Sequence, residues 1–156
     1  MSTQLRPELG EFNSIVCFKA VITGMEDSLG EKATAIALIA AGRARGKKLV
    51  HELGLNNSQI SLDEAGARLS QALGKDGTRL CKIDKIIEQG DVIQVYTSET
   101  VCSAGEPQGS PRTCTFTLGA VWGAIEQVTG KRLQGKHTES VLRGSSHDIF
   151  EFKPLA

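Results

Sequence analysis

The sequence predicts an α+β domain, in which helices pack on one face of an antiparallel four-stranded sheet in the chain order αααββαββ. Two observations predict this fold class. Apolar residues recur at helical spacing in three segments before residue 75 and in a fourth after residue 115. Runs rich in Ile, Val and Thr come in two pairs, and each pair is joined by a turn, which favours antiparallel strands. We expect a single domain over residues 12–156, preceded by a flexible N-terminus at residues 1–11.

Length and charge exclude several classes of protein. A chain of 156 residues is long enough for one compact core. Its 18 basic and 18 acidic residues give no net charge, so no nucleic-acid partner is predicted. No apolar run reaches the roughly 18 residues of a membrane span, and the start lacks the apolar core of a signal peptide. The predicted location is the cytoplasm, with peripheral attachment to a membrane as the alternative.

The first predicted helix spans Phe12 to Leu29 and carries aromatic and Met residues on its apolar stripe. Such a stripe is typical of core packing, and the alternative is that it lines a lipophilic cavity. We interpret it as core. The members of the stripe are Ile15, Phe18, Ile22, Met25 and Leu29.

The second predicted helix, Lys32 to Leu53, places Gly42 and Gly46 in its apolar stripe near Ile39. A glycine costs about 1 kcal/mol relative to alanine inside a helix. The pair therefore indicates that another helix or a ligand approaches this backbone closely. The segment 33–42 is small and apolar on nearly all sides, which predicts burial on more than one side.

Arg43 lies on the apolar face of this second helix, between Ile36 and Ile39 in projection. A buried guanidinium needs a partner, because an uncompensated charge is costly away from water. We weigh two partners: a carboxylate of the same fold, which is the commoner case, and an acidic group of a ligand.

The third predicted helix begins at Ser61, where the sequence SLDE forms a capping box, and ends at Gly74. After Gly74 the hydrophobic period changes, and one face of the predicted sheet is apolar. Gly130 and Gly135 are interpreted as breaks after the last helix. The predicted strands are residues 79–88, 91–102, 137–142 and 148–153.

The stretch from Glu99 to Thr129 joins the second strand to a helix with the chain's only tryptophan, Trp122. Cys102 and Cys114 bracket its loop with eleven residues between them, unlike the C-x-x-C pairs of structural zinc sites. In an intracellular chain we expect reduced thiols, so neither a metal nor zinc is predicted; a zinc site and a reversible disulfide stay open as alternatives. A zinc site would need Cys81, His137 or His147 to converge on the two cysteines.

Motifs of catalysis are missing from the sequence. It contains no G-x-S-x-G elbow, no P-loop, no G-x-G-x-x-G after a strand and no H-E-x-x-H helix. The three histidines stand in no motif, and no nicotinamide or flavin signature is present. We therefore predict no catalytic residues, and a binding module rather than an enzyme.

The tract MEDSLGEKATAIALIAAGRARGKKL resembles the helical half of the 4-vinyl reductase, or hydrocarbon-binding, domain family. That family has a Leu-Gly step, an apolar helix and an Ala-Gly-Arg-x-x-Gly element, which here are Leu29-Gly30 and residues 41–46. A strand, Cys102, a variable loop, Cys114, two spaced glycines and Glu139 are similar to the family's C-terminal half. The resemblance covers roughly residues 14–153.

This resemblance implies a TRAPP-like fold, a homodimer formed through helices, and a bound small molecule, with a tetrapyrrole or chlorophyll precursor as the first candidate. It links the chain to photosynthetic pigment metabolism or photosystem assembly. Family members often carry two further cysteines after the acidic residue matching Glu139, whereas this chain has Leu142 and the tract 145–148 there. A metal role is therefore not carried over, and the cofactor stays unknown.

Our main hypothesis is a domain that holds an apolar ligand between its helices and its sheet, with Arg43 meeting a ligand carboxylate. One alternative is a protein-binding scaffold or assembly factor with a filled core, in which Gly42 and Gly46 form a helix contact. Another is a vinyl reductase that uses an external cofactor. Gly119 and Gly123 also lie one turn apart, so the two glycine-bearing helices are expected to approach closely. The predicted ligand-binding residues are Arg43, Ile39, Gly42, Gly46, Phe116, Trp122, Cys102 and Cys114.

Overall fold

The computed structural model describes residues 5–56 and 60–155, which form four helices and four strands. Residues 1–4 of the predicted flexible N-terminus lie outside the described residues. Two 3₁₀ helices, Val101–Ser103 and Val141–Arg143, are not predicted, because three residues are too few to show a period. The main elements are α1 (Ile15–Leu29), α2 (Glu31–Glu52), α3 (Leu62–Leu73), β1 (Lys82–Gln89), β2 (Val92–Ser98), α4 (Phe116–Thr129), β3 (Leu133–Glu139) and β4 (Asp148–Pro154).

The four strands form one sheet in the order β1-β2-β4-β3, and every neighbouring pair is antiparallel. The predicted α+β fold with its order αααββαββ is confirmed. Along β2, buried and half-buried residues alternate, as a strand with one covered face requires. Ile93 pairs with Phe152 and Val95 pairs with Phe150, and all four side chains are buried.

Serine side chains fix the starts of two helices. The Ser14 hydroxyl accepts a hydrogen bond from the Val16 amide at 3.1 Å at the start of α1. At α3 the Ser61 hydroxyl accepts from the Glu64 amide at 3.1 Å, so the predicted helix start is confirmed. Such a cap satisfies an amide that has no partner inside the helix.

Gly135 does not break the chain as predicted, because it lies within β3 and pairs with Phe152. A Cβ at position 135 would meet the Phe152 ring at 2.7 Å and the Trp122 ring at 2.9 Å. The glycine therefore gives room for two aromatic rings over the strand. A glycine in this role cannot be distinguished from a turn residue by sequence alone.

Helix α4 lies between α2 and the sheet and is buried along nearly its whole length. Helix α2, by contrast, is covered on one side only. Its inward residues, such as Leu38 and Val50, are buried, whereas Ile36 is 64% exposed. The predicted burial of segment 33–42 on more than one side is therefore not found within a single chain. No helix in the described part of the chain has the length and hydropathy of a membrane span.

Candidate functional site

Helices α2 and α4 pack through two pairs of glycines. Cβ atoms built on Gly42 and Gly46 would strike backbone atoms of α4, and Cβ atoms on Gly119 and Gly123 would strike backbone atoms of α2. The carbonyl of Ile39 takes part in this contact. The predicted close approach of the two helices is therefore confirmed. Backbone, rather than open space, faces these glycines.

Arg43 finds its partner within the fold, at the same helix contact. Its Nη2 donates to Glu126 Oε1 at 2.8 Å, and its guanidinium lies 4.3 Å from the centre of the Trp122 ring. Glu126 also accepts from the Leu133 amide at 2.8 Å, which ties α4 to the start of β3. Burial raises the pKa of the Glu126 carboxyl, but the Leu133 amide and Arg43 outweigh burial and hold it below its ordinary value. The carboxylate of the same fold is thus the partner that the structure shows.

Cys102 and Cys114 form a disulfide, which closes the loop between β2 and α4. Around it lies a buried polar cluster. Thr100 Oγ1 lies 3.9 Å from Cys114 Sγ and donates to Asp148 Oδ2 at 2.8 Å. His137 Nδ1 accepts from the Cys114 amide at 3.2 Å, and its Nε2 lies 3.1 Å from Asp148 Oδ1. These contacts are consistent with a neutral imidazole protonated at Nε2.

Of the alternatives for the cysteines, the structure shows the disulfide. Cys102, Cys114 and Asp148 each place one ligand atom within 4.8 Å of the others. In the disulfide form neither sulfur is a thiolate, so this set lacks the ligands that zinc prefers. Burial raises the pKa of the Asp148 carboxyl, but hydrogen bonds from His137, Thr100 and Ser140 hold it below its ordinary value. The carboxylate serves the cluster as a hydrogen-bond acceptor.

The two remaining cysteines are free and differ sharply in access. Cys17 is exposed on the first turn of α1. Cys81 is 3% exposed, and burial, with smaller effects of Asp84 and Asp148, raises the pKa of its thiol to about 12. The thiolate is the reactive form of cysteine, and the buried Cys81 thiol resists ionisation. Cys17 is therefore the accessible thiol of the folded chain.

An apolar groove of about 660 Å³ runs between α1, the end of α3 and the start of α4. Its volume falls within the range of about 300 to 1,000 Å³ that is typical of small-molecule sites. Phe18 and Phe116 meet edge to face with ring centres 5.6 Å apart. Cys17 and two arginines, Arg45 and Arg79, also line the groove. Its large apolar lining residues are Phe12, Ile15, Phe18, Val21, Leu73, Leu80, Val101 and Phe116.

Ion pairs hold α1, one wall of this groove, against the loop that the disulfide closes. Lys19 Nζ lies 2.8 Å from Glu106 Oε2 and donates to the Cys102 carbonyl at 2.9 Å. Arg112 Nη2 lies 3.0 Å from Glu26 Oε1. The hydrogen bond from Lys19 lowers the pKa of the Glu106 carboxyl, and the hydrogen bond to Glu26 raises the pKa of Arg112. These pairs are partly buried and fix the groove wall.

A second groove, of about 700 Å³, lies between α3 and β1. Half of its fourteen lining residues are charged, among them Asp63, Lys82, Asp84 and Lys85. Because small-molecule sites are mostly apolar, the groove beside α1 fits a ligand better. We call that one the α1 groove below.

Phe116 is the one predicted ligand-binding residue that lines the α1 groove. The other seven lie at the contact between α2 and α4 or in the disulfide. The groove residues that the predicted set missed come from α1 and the three residues before it, from α2, α3 and the segment before β1, and from Val101 after β2. One signal pointed to them, since the aromatic stripe of the first helix raised a lipophilic cavity as an alternative, and Phe18 belongs to that stripe.

No protein-family model matches the chain, and no curated protein matches it in sequence. Solved structures do match it. The phenol-responsive sensory domain of the transcription activator PoxR, solved with phenol, is 16% identical with a TM-score of 0.66, over 92% of this chain and 76% of that one. Trafficking protein particle complex subunit 3 from Naegleria fowleri, covalently bound to palmitic acid, is 12% identical with a TM-score of 0.56. That match covers 91% of this chain and 93% of the other.

At these identities the likeness shows the fold and leaves membership of the 4-vinyl reductase family a prediction. The match extends over nearly the whole chain, so it includes both the helices and the sheet. The chain has the TRAPP-like α+β fold.

Proposed function

We propose that the chain is a binding domain for a small apolar molecule, which it holds in the α1 groove. The observation that carries the proposal is the groove itself: about 660 Å³ lined by Phe18, Phe116 and aliphatic side chains from separate elements. A ligand in the groove has its apolar surface removed from water, which contributes a favourable free energy of about 25 cal/mol for each Å² buried. The names of the two similar structures support the proposal, because one is solved with phenol and the other with palmitic acid.

The groove differs from the predicted ligand position between the helices and the sheet. At that position the glycines of α2 contact the backbone of α4, and Arg43 is paired with Glu126. The proposal therefore keeps the ligand class of the hypothesis and places the site in the α1 groove instead. A tetrapyrrole or chlorophyll precursor remains a candidate from the resemblance, and we include it among the probes.

Cys17 offers a direct measure of groove occupancy, since it is exposed and lines the groove. We would measure the rate at which N-ethylmaleimide alkylates Cys17 with and without phenol, octan-1-ol or protoporphyrin IX. Occupancy is expected to slow the reaction. Cys81 is the internal control, because its buried thiol should stay unlabelled until the chain unfolds.

A pair of tryptophan variants tests whether the protection arises in the groove. Val21 lines the groove and is 57% exposed, so Val21→Trp should fill it without disturbing the core. Val16 lies on the same helix, is 72% exposed and is outside the groove lining, which makes Val16→Trp the matched control. We expect Val21→Trp to abolish protection and Val16→Trp to retain it. Equal alkylation rates with every probe in the wild type would contradict the proposal.

A second candidate function, as a homodimeric scaffold, is supported by the outward face of α2. Ile36 and the alanines at 33, 37, 40 and 44 are exposed on this face, although they form an apolar stripe. A second copy of the chain would cover it. A substitution of Gly46 would not test the dimer, because Gly46 packs on α4 within one chain and a larger residue there would disturb the fold itself.

Light scattering after size exclusion tests the dimer with two substitutions on α2. We expect Ile36→Asp to give a monomer, and Lys48→Asp, at an exposed polar position, to keep the wild-type mass. A wild-type protein that is monomeric at all concentrations would exclude the homodimer. A dimer whose Cys17 is protected by no probe would favour the scaffold or assembly factor over the binding domain. The vinyl reductase with an external cofactor stays a prediction from the resemblance alone.

A further inference from the structure

The α1 groove has a largely apolar lining, and the charged residues in it are all of one sign. Fourteen residues line it, and its two charged members, Arg45 and Arg79, are both basic. No Asp or Glu is among them. A purely apolar ligand makes no hydrogen bond or ion pair with a guanidinium group. An anion beside the two arginines gains both Coulomb attraction and hydrogen bonds.

Both arginines retain donors for a ligand. Arg79 Nε donates to the Lys75 carbonyl at 3.0 Å, and within residues 5–56 and 60–155 no carboxylate lies within 4.0 Å of its guanidinium. Arg45 has one weak contact, from Nη1 to Glu52 Oε2 at 3.5 Å, between two solvent-accessible side chains. Because a guanidinium carries five N–H groups, each arginine has most of its donors available.

The backbone holds Arg79 in an unusual conformation beside the groove. Its φ is 59°, a left-handed value that glycine adopts more easily than other residues. Hydrogen bonds fix the turn, since the Arg79 amide donates to the Gly74 carbonyl at 3.0 Å and the Leu80 amide donates to the Leu73 carbonyl at 2.8 Å. A non-glycine residue in such a conformation persists only when its surroundings hold it there. Here the result is a guanidinium at the rim of an apolar groove, 5.1 Å from the Phe12 ring.

We infer that the groove selects a small amphipathic acid, with its carboxylate at Arg79 and Arg45 and its apolar body against Phe18 and Phe116. This inference rests on the proposed function and specifies its ligand class. Arginine matches carboxylate geometry with paired N–H donors, which makes it the usual residue for such recognition. The charge complementarity selects an acid over a neutral or cationic molecule of the same shape.

Three probes with the same chain length separate the head group from the apolar body. We would measure binding of octanoate, octan-1-ol and octylammonium by isothermal titration calorimetry. A hydrogen bond to a charged group contributes about 1.5 to 3 kcal/mol, which corresponds to a factor of about 10 to 100 in affinity. We expect octanoate to bind at least about tenfold more tightly than octan-1-ol, and octylammonium to bind most weakly.

The variant Arg79→Gln removes the charge and leaves a shorter polar side chain at an exposed position, so the fold should persist. It is expected to weaken octanoate about tenfold and to leave octan-1-ol unchanged. Arg132→Gln, at an exposed position outside the groove lining, is the matched control and should bind octanoate as the wild type does.

The outcomes separate this inference from the proposed function. Equal binding of octanoate and octan-1-ol to the wild type, or an Arg79→Gln variant that binds octanoate normally, would overturn the acid preference and leave the apolar groove standing. Tightest binding of octylammonium would also overturn it. If none of the three probes binds and Cys17 is never protected, the proposed function fails together with the inference.

Discussion

Helices pack together in two regions of this protein, and only one of the two regions leaves space for a ligand. Between α2 and α4, two pairs of glycines bring the backbones together and leave no room between them. Between α1, α3 and α4, a groove of about 660 Å³ stays open beside the contact of the Phe18 ring with the Phe116 ring. The difference teaches that glycines on a buried helix stripe indicate a close helix contact, while space for a ligand arises where bulky side chains meet an irregular segment.

The largest expected effect comes from adding a methyl group to the closed contact. In Gly46→Ala the new Cβ would meet the Ala120 carbonyl and lie 2.8 Å from the Ala124 amide nitrogen, both backbone atoms that cannot rotate away. We expect the free energy of unfolding to fall by about 2 to 3 kcal/mol, measured by urea denaturation.

Gly24→Ala is the control for this change, since Gly24 lies inside α1 and a Cβ there has no neighbour within 4 Å. Alanine is the better helix former by about 1 kcal/mol, so this variant should be more stable than the wild type. If both variants gained stability, α2 and α4 would not be as closely packed as the structure shows.

An intermediate effect is expected on acidification, and it should reach both regions. The carboxyl pKa values of Glu126, at the closed contact, and Glu106, at the groove wall, are lowered in the fold. A carboxyl whose folded pKa lies below its unfolded value stabilises the fold above the unfolded pKa, about 4.3 for Glu. That stability is lost as the pH falls through the lower folded pKa. We expect the melting temperature to drop below about pH 4.

Single amide variants assign the acid response to each region. Glu126→Gln and Glu106→Gln should each be less stable at pH 7 and lose less of their remaining stability on acidification than the wild type. Glu88→Gln, at an exposed position on β1, is the control and should follow the wild-type curve. An acid response that all three variants share unchanged would show that neither ion pair is its source.

The smallest expected effect concerns the strained turn at the groove rim. Arg79→Gly removes the side chain from a backbone with φ of 59°, where a non-glycine residue costs about 1 to 2 kcal/mol. Part of this gain is offset by the greater flexibility of glycine in the unfolded chain. We expect a rise of about 0.5 kcal/mol in the free energy of unfolding together with weaker octanoate binding.

A stability gain accompanied by a binding loss would mark Arg79 as a residue whose side chain serves the ligand. Arg68→Gly supplies the comparison, because Arg68 is exposed within α3, where glycine should destabilise the helix by about 1 kcal/mol. A loss of stability in Arg79→Gly as large as in Arg68→Gly would contradict the strain at residue 79.

The sequence was sufficient for the helices, the antiparallel sheet and the close approach of Gly42 and Gly46 to the last helix. Each of these depends on a local period or a local spacing. Gly135 was misread, because a glycine that accommodates the Trp122 and Phe152 rings has the same local signature as a turn residue.

The α1 groove could not be predicted in the same way. Its lining comes from residues as distant in sequence as Phe18 and Phe116, so it exists only once the chain is folded. Arg79 was predicted as the first residue of a strand, but β1 begins only at Lys82, so the strand period does not indicate the direction of the Arg79 side chain. The disulfide was one of three open alternatives for Cys102 and Cys114, because their separation along the chain does not fix their distance in space.

Because of the disulfide, the redox conditions under which a sample is prepared determine which covalent form of the protein it contains. Two residues of the groove lie close to the bonded cysteines in sequence: Val101 directly precedes Cys102, and Phe116 follows Cys114 by two residues. Protein produced under reducing conditions and protein produced under oxidising conditions are therefore two covalent species that differ beside the groove. Binding measured on one species need not transfer to the other, and each preparation has to be characterised by its count of titratable thiols.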